Sequence, residues 1–356
     1  MKKVTSPNTV IAKYISDTID ILRPKIEIKK PKEIVFYIGT NINGVPHLAT
    51  ALVHSIGFLF AEKVQSKFKI PCRIKIGIHD NISFESKLNG EGVVYHKTYF
   101  HSQGQKEIEN IIQEYYIEYF DKLSALTGLA YDVESYSEAQ KRPGFRKAFL
   151  KTLTNKEATG WAVSPSTGVL QIRTPCPTCQ FSDRDSKTTQ FKFKANQLEI
   201  VGLCPEHGEY TVQIKEDNES YLDLSTLYRN LVKEVETLDD PERMYVMVKG
   251  GDWIYSTSTI NLAFGAMGYT ALDTPARIFT PQLVTSTGAK LSKSLILLGD
   301  ESMKEAPEWM LDLSKFKDHF GVEYLDKIVE LTQEFFRDPR NMYRTYTIKE
   351  IIRLLS

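Results

Sequence analysis

The chain has no long apolar run. Nowhere does a stretch approach the ~18 residues that span a bilayer, so a soluble, cytoplasmic protein with no membrane partner is the expectation. The opening MKKVTSPNTVIAKYISDTIDIL begins with Lys2 and Lys3 but is broken by Ser6, Pro7 and Asn8 with no apolar core behind them, which argues against a secretory signal. Net charge is also missing: 45 Lys and Arg balance 45 Asp and Glu. A balanced chain has no bulk attraction for nucleic acid, so any contact with RNA would need a local basic surface. The segment after Phe336, where Arg337, Arg340, Arg344, Lys349 and Arg353 face Asp338 and Glu350, offers one, and it also reads as a solvated helix face. Cysteine is scarce, at four in 356 residues, which points away from a disulfide framework. Internal repeats and low-complexity tracts are absent as well. The length fits roughly two domains, or one domain with a sizeable insertion.

What is present reads as α/β. Glu33 to Ile38 is a compact run of branched and aromatic residues that suits a buried strand, stopping at Gly39. After GTNING, Leu48, Leu52, Ile56, Leu59 and Val64 recur with helical spacing. A second strand is expected over Arg73 to Ile78, ending at His79-Asp80-Asn81. Strand, turn, helix and strand in this order begin a parallel unit whose ligands lie at the carboxyl ends of the strands. Helical patterns follow over Tyr99 to Leu129 and Gly144 to Leu153. From Trp161 to Ile214 short strands alternate with Pro, Gly and Cys, which reads as an inserted β-rich module. Helices at Tyr221 to Val235 and Thr257 to Met267, with a strand at Met244 to Val248 between them, then resume the α/β texture. The expected organisation is a Rossmann-like doubly wound sheet whose first half is 1–160, an insertion at 161–215, the second half at 216–300 and a helical C-terminal segment at 301–356.

Three of the cysteines fall in a metal-binding pattern. Cys176-Pro177-Thr178-Cys179 is followed after 24 residues by Cys204-Pro205-Glu206-His207-Gly208. Two such knuckles, each giving two ligands, suit a tetrahedral Zn2+ site built from Cys176, Cys179, Cys204 and His207. Four protein ligands leave no open position, so the expected role is structural. Cys72, beside Pro71 in an apolar stretch, reads as a buried thiol.

Three further features bear on the α/β part. Asn43 to Thr50 lies where the first strand turns into its helix, and His47 there can donate to phosphate oxygens beside the helix amides. Lys249-Gly250-Gly251-Asp252 follows a later strand, with glycines that admit a ligand closely and a carboxylate able to accept ribose hydroxyls. Gly288 to Ser294, GAKLSKS, carries Lys290 and Lys293, which can neutralise charge on departing pyrophosphate.

Together these resemble the class I aminoacyl-tRNA synthetases, with HLAT at His47 to Thr50 in place of one signature and KLSKS at Lys290 to Ser294 in place of the other. More narrowly, GTNINGVPHLAT, an Asp ending the second strand, the helix SYSEAQKRPGFRKAFLKTL, the knuckle insertion, GGDW and KLSKS are similar to class I lysyl-tRNA synthetases over most of residues 30–295. The resemblance implies a catalytic domain that uses ATP and Mg2+ to activate an amino acid, lysine or a relative, as its adenylate. His47, Lys290 and Lys293 would be catalytic; His47, Thr50, Gly250, Gly251, Asp252, Lys290, Ser292 and Lys293 would hold ATP; Asp80, Thr40 and Asn41 would hold the amino acid. The tRNA acceptor end is the implied further partner, and the span after KLSKS is short for an anticodon-binding domain. The chain departs from the family at Ala49, Thr50 and Trp253. Two alternatives stay open: a catalytically impaired paralogue that binds RNA or protein, and a nucleotidyltransferase with another substrate. Read without the resemblance, His47 is also a helix-start residue, Asp80 a cap and Asp252 a turn former.

Overall fold

The computed structural model describes residues 9–356 apart from 43, 195–196, 219, 293–294 and 296–297. Its centre is a sheet of five strands: β1 (Glu33–Asn41), β2 (Cys72–His79), β3 (Tyr131–Ser135), β4 (Arg243–Gly250) and β5 (Ala276–Thr280), in the order β5-β4-β1-β2-β3. All neighbouring pairs are parallel. A parallel sheet covered by helices on both faces selects near-continuous apolar strands, which is why EIVFYI shows no alternation. From β1 the chain winds outward to β2 and β3, then returns to β4 and β5 on the other side. Where the winding reverses, between β1 and β4, a crevice opens beyond the carboxyl ends of the strands.

β1 runs past Gly39, where the sequence suggested a stop, because Gly39 pairs with Gly77 in the ladder and the register continues to Asn41 opposite His79. A Cβ on Gly39 would come 2.7 Å from Cε1 of His79, so the missing side chain there makes room for a ring at the crevice.

Two helices flank the sheet at the crevice. On one face lies α1 (Leu48–Phe68), whose Gly57 fits against Ile38 and Val248. The opposite face meets α3 (Thr226–Glu236), which follows α2 (Pro143–Thr152) and precedes α4 (Trp253–Ala266). Strand period places Ile38 and Val248 toward α1, and Tyr37 and Lys249 toward α3. The helical pattern expected over Tyr99 to Leu129 is broken into several pieces, with Gly104 at positive φ and a π-helical turn at Gln113–Ile117. The β-rich texture begins at Ile172 and not at Trp161, which instead lies in the helix Lys156–Val163. α4 starts at Trp253, a turn earlier than expected.

The described apolar side chains form two cores. The larger joins the sheet, α1 and the C-terminal helices; the smaller joins Tyr136, α2, the inserted strands, α4 and the apolar side of α3. In the C-terminal segment α5 (Tyr324–Phe336) packs on α1, where Ser55 Oγ and Thr332 Oγ1 lie 2.9 Å apart in the interior. Strand Thr345–Thr347 pairs in parallel with Gln282–Val284, tying this segment to the stretch that leads into Lys290. Its basic residues are largely neutralised by their own acids: Arg337 meets Glu334 at 2.7 Å, Arg344 meets Glu350 at 2.9 Å, and Arg340 pairs with Asp338. Among the described residues no helix is long and apolar enough to cross a membrane.

Phe335 is fully buried against Tyr346, with ring centroids 4.8 Å apart. Phe335→Ala should cost about 3–5 kcal/mol of unfolding free energy by denaturant titration. A loss below about 1 kcal/mol would mean that the C-terminal helices do not share the larger core.

Candidate functional site

The crevice at the switch point is a cavity of about 280 Å³. Its lining brings together His47 and Thr50 from the start of α1, Thr40 and Asn41 from the end of β1, Gly250, Gly251 and Asp252 after β4, and Lys290 and Ser292. Residues separated by more than two hundred positions therefore meet at one opening. Lys293 lies outside the described residues. Asp80 does not line the cavity, although its neighbour His79 does.

His47 is the N-cap of α1, and its Nδ1 accepts from the Thr50 amide at 3.2 Å. Accepting at Nδ1 puts the proton of the neutral ring on Nε2, which makes that nitrogen a donor beside the α1 amides, a suitable arrangement for an anion. The helix-start reading of His47 and its phosphate-binding reading are thus compatible. Opposite, a Cβ on Gly251 would come 2.9 Å from the Thr280 carbonyl, so glycine lets β4 turn tightly against β5. Lys290 is held near this turn by a 2.6 Å ion pair with Asp252, both side chains more than a third exposed. Its loop is anchored below: Leu291 N donates to Leu283 O at 2.9 Å, and Ser286 N donates to Glu305 at 2.8 Å.

The α3 side of the cavity was missed in the sequence. Thr226, Arg229, Asn230, Lys233 and Glu234 recur at helical spacing and line the opening, while Tyr228, Leu231, Val232 and Val235 turn into the smaller core. Glu234 is the fixed point of this face. Its carboxylate lies 3.3 Å from Lys249 Nζ and accepts from Arg277 Nε at 3.1 Å, joining α3 to β4 and β5. Lys249 also donates to Asn230 Oδ1 at 2.8 Å and sits 4.7 Å above the Trp253 ring. Lys233 Nζ lies 3.1 Å from His79 Nε2, and His79 Nδ1 lies 3.1 Å from Asn41 Oδ1. This chain fixes the Nδ1–H tautomer of His79. Burial, with Arg229, Lys233 and Lys249 around it, holds the imidazole well below its ordinary range and therefore neutral.

Asp80 is fully buried, and both carboxylate oxygens accept from the Ser137 amide, at 3.1 and 3.3 Å. Burial pushes this carboxyl up to about 6 from 3.8, against the hydroxyl and amide of Ser137 that pull it down. Next to it, Asn81 accepts from Arg229 and donates to Asp223 at 2.6 Å, while Asp223 meets Arg173 at 2.8 Å.

The two knuckles converge. The ligand atoms of Cys176, Cys179, Cys204 and His207 all lie within 4.8 Å of one another. Cys179 and Cys204 sulfurs are 3.6 Å apart, and His207 Nδ1 is 3.4 Å from Cys204 Sγ and 3.8 Å from Cys176 Sγ. Bonds of roughly 2.0–2.3 Å to a tetrahedral centre imply edges of about 3.3–3.8 Å, so the set fits a metal ion. Gln180 at φ 66° closes the first knuckle, and Gly208 at φ 77° closes the second at the head of a hairpin pairing Gln197–Cys204 with Gly208–Lys215.

The raised Asp80 value has a definite sign. The folded chain binds this proton more tightly than the unfolded one, so Asp80 lowers stability as pH rises from about 3.8 to about 6, and the penalty persists above that window. Asp80→Asn should therefore gain stability relative to the parent as pH is raised from 4 to 7, measured by denaturant unfolding at each pH. A difference that stays flat with pH would contradict this.

The fold is similar to those of solved aminoacyl-tRNA synthetases. A putative arginyl-tRNA synthetase from Campylobacter jejuni is 9% identical with a TM-score of 0.38, over 97% of this chain and 72% of that one. A Mycobacterium tuberculosis methionyl-tRNA synthetase in complex with methionyl-adenylate is 12% identical with a TM-score of 0.40, over 90% of this chain and 68% of that one. A glutamate tRNA ligase from Elizabethkingia meningosepticum is 10% identical with a TM-score of 0.38, again over 90% and 68%. No family model and no curated protein matches the chain.

Proposed function

We propose that the chain is a synthetase-like ligase of the class I kind, which uses ATP to activate the carboxylate of an amino acid as its adenylate and passes the acyl group to an acceptor, the tRNA acceptor end or a smaller molecule. One observation carries this reading: His47, the turn Gly250 to Asp252 and Lys290 line a single cavity at the switch point of a parallel sheet. That is where such sheets bind nucleotides. The α1 amides and His47 Nε2–H would hold phosphate oxygens, Gly250 and Gly251 would let the nucleotide lie against the backbone, and Asp252 would accept ribose hydroxyls once Lys290 leaves it.

The chemistry needs no base. A carboxylate oxygen attacks the α-phosphorus in line, the bond from that phosphorus to the bridging oxygen breaks, and pyrophosphate departs with the electron pair. Lys290, swinging from Asp252 to the phosphates, stabilises the growing charge, a role that Lys293 of the same sequence motif would share. The exchange is inexpensive, because an exposed ion pair contributes only about 0–1 kcal/mol. The cavity's carboxylates among the described residues are Glu234 and Asp252, so Mg2+ would arrive on the ATP phosphates and supply further charge neutralisation there. An acceptor hydroxyl then attacks the acyl carbon and AMP leaves.

The Cys176, Cys179, Cys204 and His207 cluster we assign to a structural Zn2+ that braces the insertion. Ser182–Asp183, just past the first knuckle, pairs with Val94–Thr98, so the metal would also steady a hairpin from the first half of the chain.

Labelled pyrophosphate should exchange into ATP when the correct amino acid is present, and Lys290→Ala should lower that exchange about 100-fold or more with the fold intact. Exchange that proceeds unchanged in Lys290→Ala would remove the loop from the chemistry; exchange absent with every amino acid would favour the impaired-paralogue alternative. Elemental analysis should find one zinc per chain, and removing it with a chelator should lower the melting temperature and open the knuckle thiols to a thiol reagent. Thiols that react equally before and after chelation would contradict a bound metal.

A further inference from the structure

The α3 face of the cavity carries more positive charge than the protein neutralises. Arg229, Lys233 and Lys249 line it at 2, 6 and 8% exposure, so all three are withdrawn from water. Glu234 is the one carboxylate on that face of the cavity among the described residues, and it already pairs with Lys249 and Arg277. Lys233 has no carboxylate within ion-pair distance among the described residues; its Nζ lies 3.1 Å from Nε2 of the neutral His79. Arg229 is similarly placed: one nitrogen bonds the amide oxygen of Asn81, and its Nε is buried without a partner. Other acids act on the pair only through space: Glu134 and Glu236, both held by Arg142, on Lys233, and Asp223, held by Arg173, and Asp80, bonded to the Ser137 amide, on Arg229.

Two buried basic groups that no described carboxylate ion-pairs are costly to keep charged on a cavity wall: burial and Arg229 hold the Lys233 amine well below its ordinary range, and an anion entering with the ligand would restore its charge. The triphosphate does not answer this need. Its expected partners, the α1 N-terminus and His47, lie on the other face of the sheet, with Ile38 and Val248 between α1 and the strands, whereas Lys233 sits over the Tyr37 ring on the α3 face. The unneutralised pair therefore belongs to the second substrate.

We infer that the molecule activated beside ATP is an acidic amino acid, its side-chain carboxylate held by Arg229 and Lys233 while its α-carboxylate attacks the nucleotide. This rests on the activation reading above and deepens it. It also replaces lysine, the substrate that the resemblance implied: a lysine ammonium in this half of the cavity would meet Arg229 and Lys233 and find Glu234, the carboxylate on that wall among the described residues, already shared by two cations. Guanidinium and ammonium groups together match a carboxylate well, the fork fixing its plane and the point charge its distance.

The test compares glutamate, aspartate, lysine and O-phosphoserine as the variable component of ATP–pyrophosphate exchange, with calorimetric binding of each to the full chain. Glutamate or aspartate should support exchange and lysine should not. Lys233→Met should raise the KM for the acidic amino acid about tenfold or more, leave the KM for ATP unchanged, and be largely rescued by Lys233→Arg. Should Lys233→Met fail to fold by circular dichroism, Arg229→Lys gives the same split between the two KM values. Exchange with lysine and not with the acidic pair overturns this inference and leaves the activation reading standing. Exchange with O-phosphoserine alone overturns the choice of a carboxylate. Binding of glutamate without exchange upholds the anion site and overturns activation; neither binding nor exchange with glutamate or aspartate overturns the inference.

Discussion

Glu234 holds the site together. It is buried and pairs with two cations on two different strands, Lys249 of β4 and Arg277 of β5, so one side chain fastens α3 to the half of the sheet that lies beyond the switch point. Breaking such a cluster by removing its only acid would leave two buried positive charges unpaired, a loss of about 3–5 kcal/mol. The same commitment has a functional consequence. Because Glu234 is spent on Lys249 and Arg277, no carboxylate among the described residues ion-pairs with Lys233 or Arg229. The helix is thus locked in place by its acid, and its remaining charges are presented to the cavity.

Around that anchor the cavity divides by the pleat of the sheet. Even-numbered residues of β1 and β4 face α1, whose capped N-terminus is ready-made for phosphate; odd-numbered ones face α3 and its cations. The two halves meet at the carboxyl ends, where Gly39 leaves room for the His79 ring and Gly251 lets β4 turn against β5. Two substrates held on opposite faces of one sheet can touch only at this edge, which is the proximity that a reaction between carboxylate and α-phosphorus requires. The C-terminal segment contributes at a distance. Its strand Thr345–Thr347 and its Glu305 hold the stretch from which Lys290 projects, which gives the loop a fixed base.

Much of this was legible in the amino-acid sequence, and the reasons differ by element. The parallel strands were visible because burial on both faces leaves uninterrupted apolar runs, and the knuckles because metal ligands need a fixed local spacing. His47, Gly250 to Asp252 and Lys290 could be proposed from local chemistry, yet their meeting depends on strand order, which no local pattern encodes. The α3 stripe was missed for a physical reason: Arg229, Asn230, Lys233 and Glu234 at helical spacing look the same whether they face water or a cavity. Only the apolar covering of the other side by Tyr228, Leu231 and Val232, and the burial of the charges themselves, tell the two apart. Asp80 shows the converse, since a carboxylate at a strand end suggests a ligand, whereas here the Ser137 amide takes it.

If one cavity holds ATP on its α1 side and an acidic substrate on its α3 side, a crystal structure of the chain with a non-hydrolysable ATP analogue and glutamate should show phosphates against the α1 N-terminus and His47, with the glutamate side-chain carboxylate between Arg229 and Lys233. A nucleotide bound elsewhere, or phosphates seated on Arg229 and Lys233 with glutamate excluded, would contradict it.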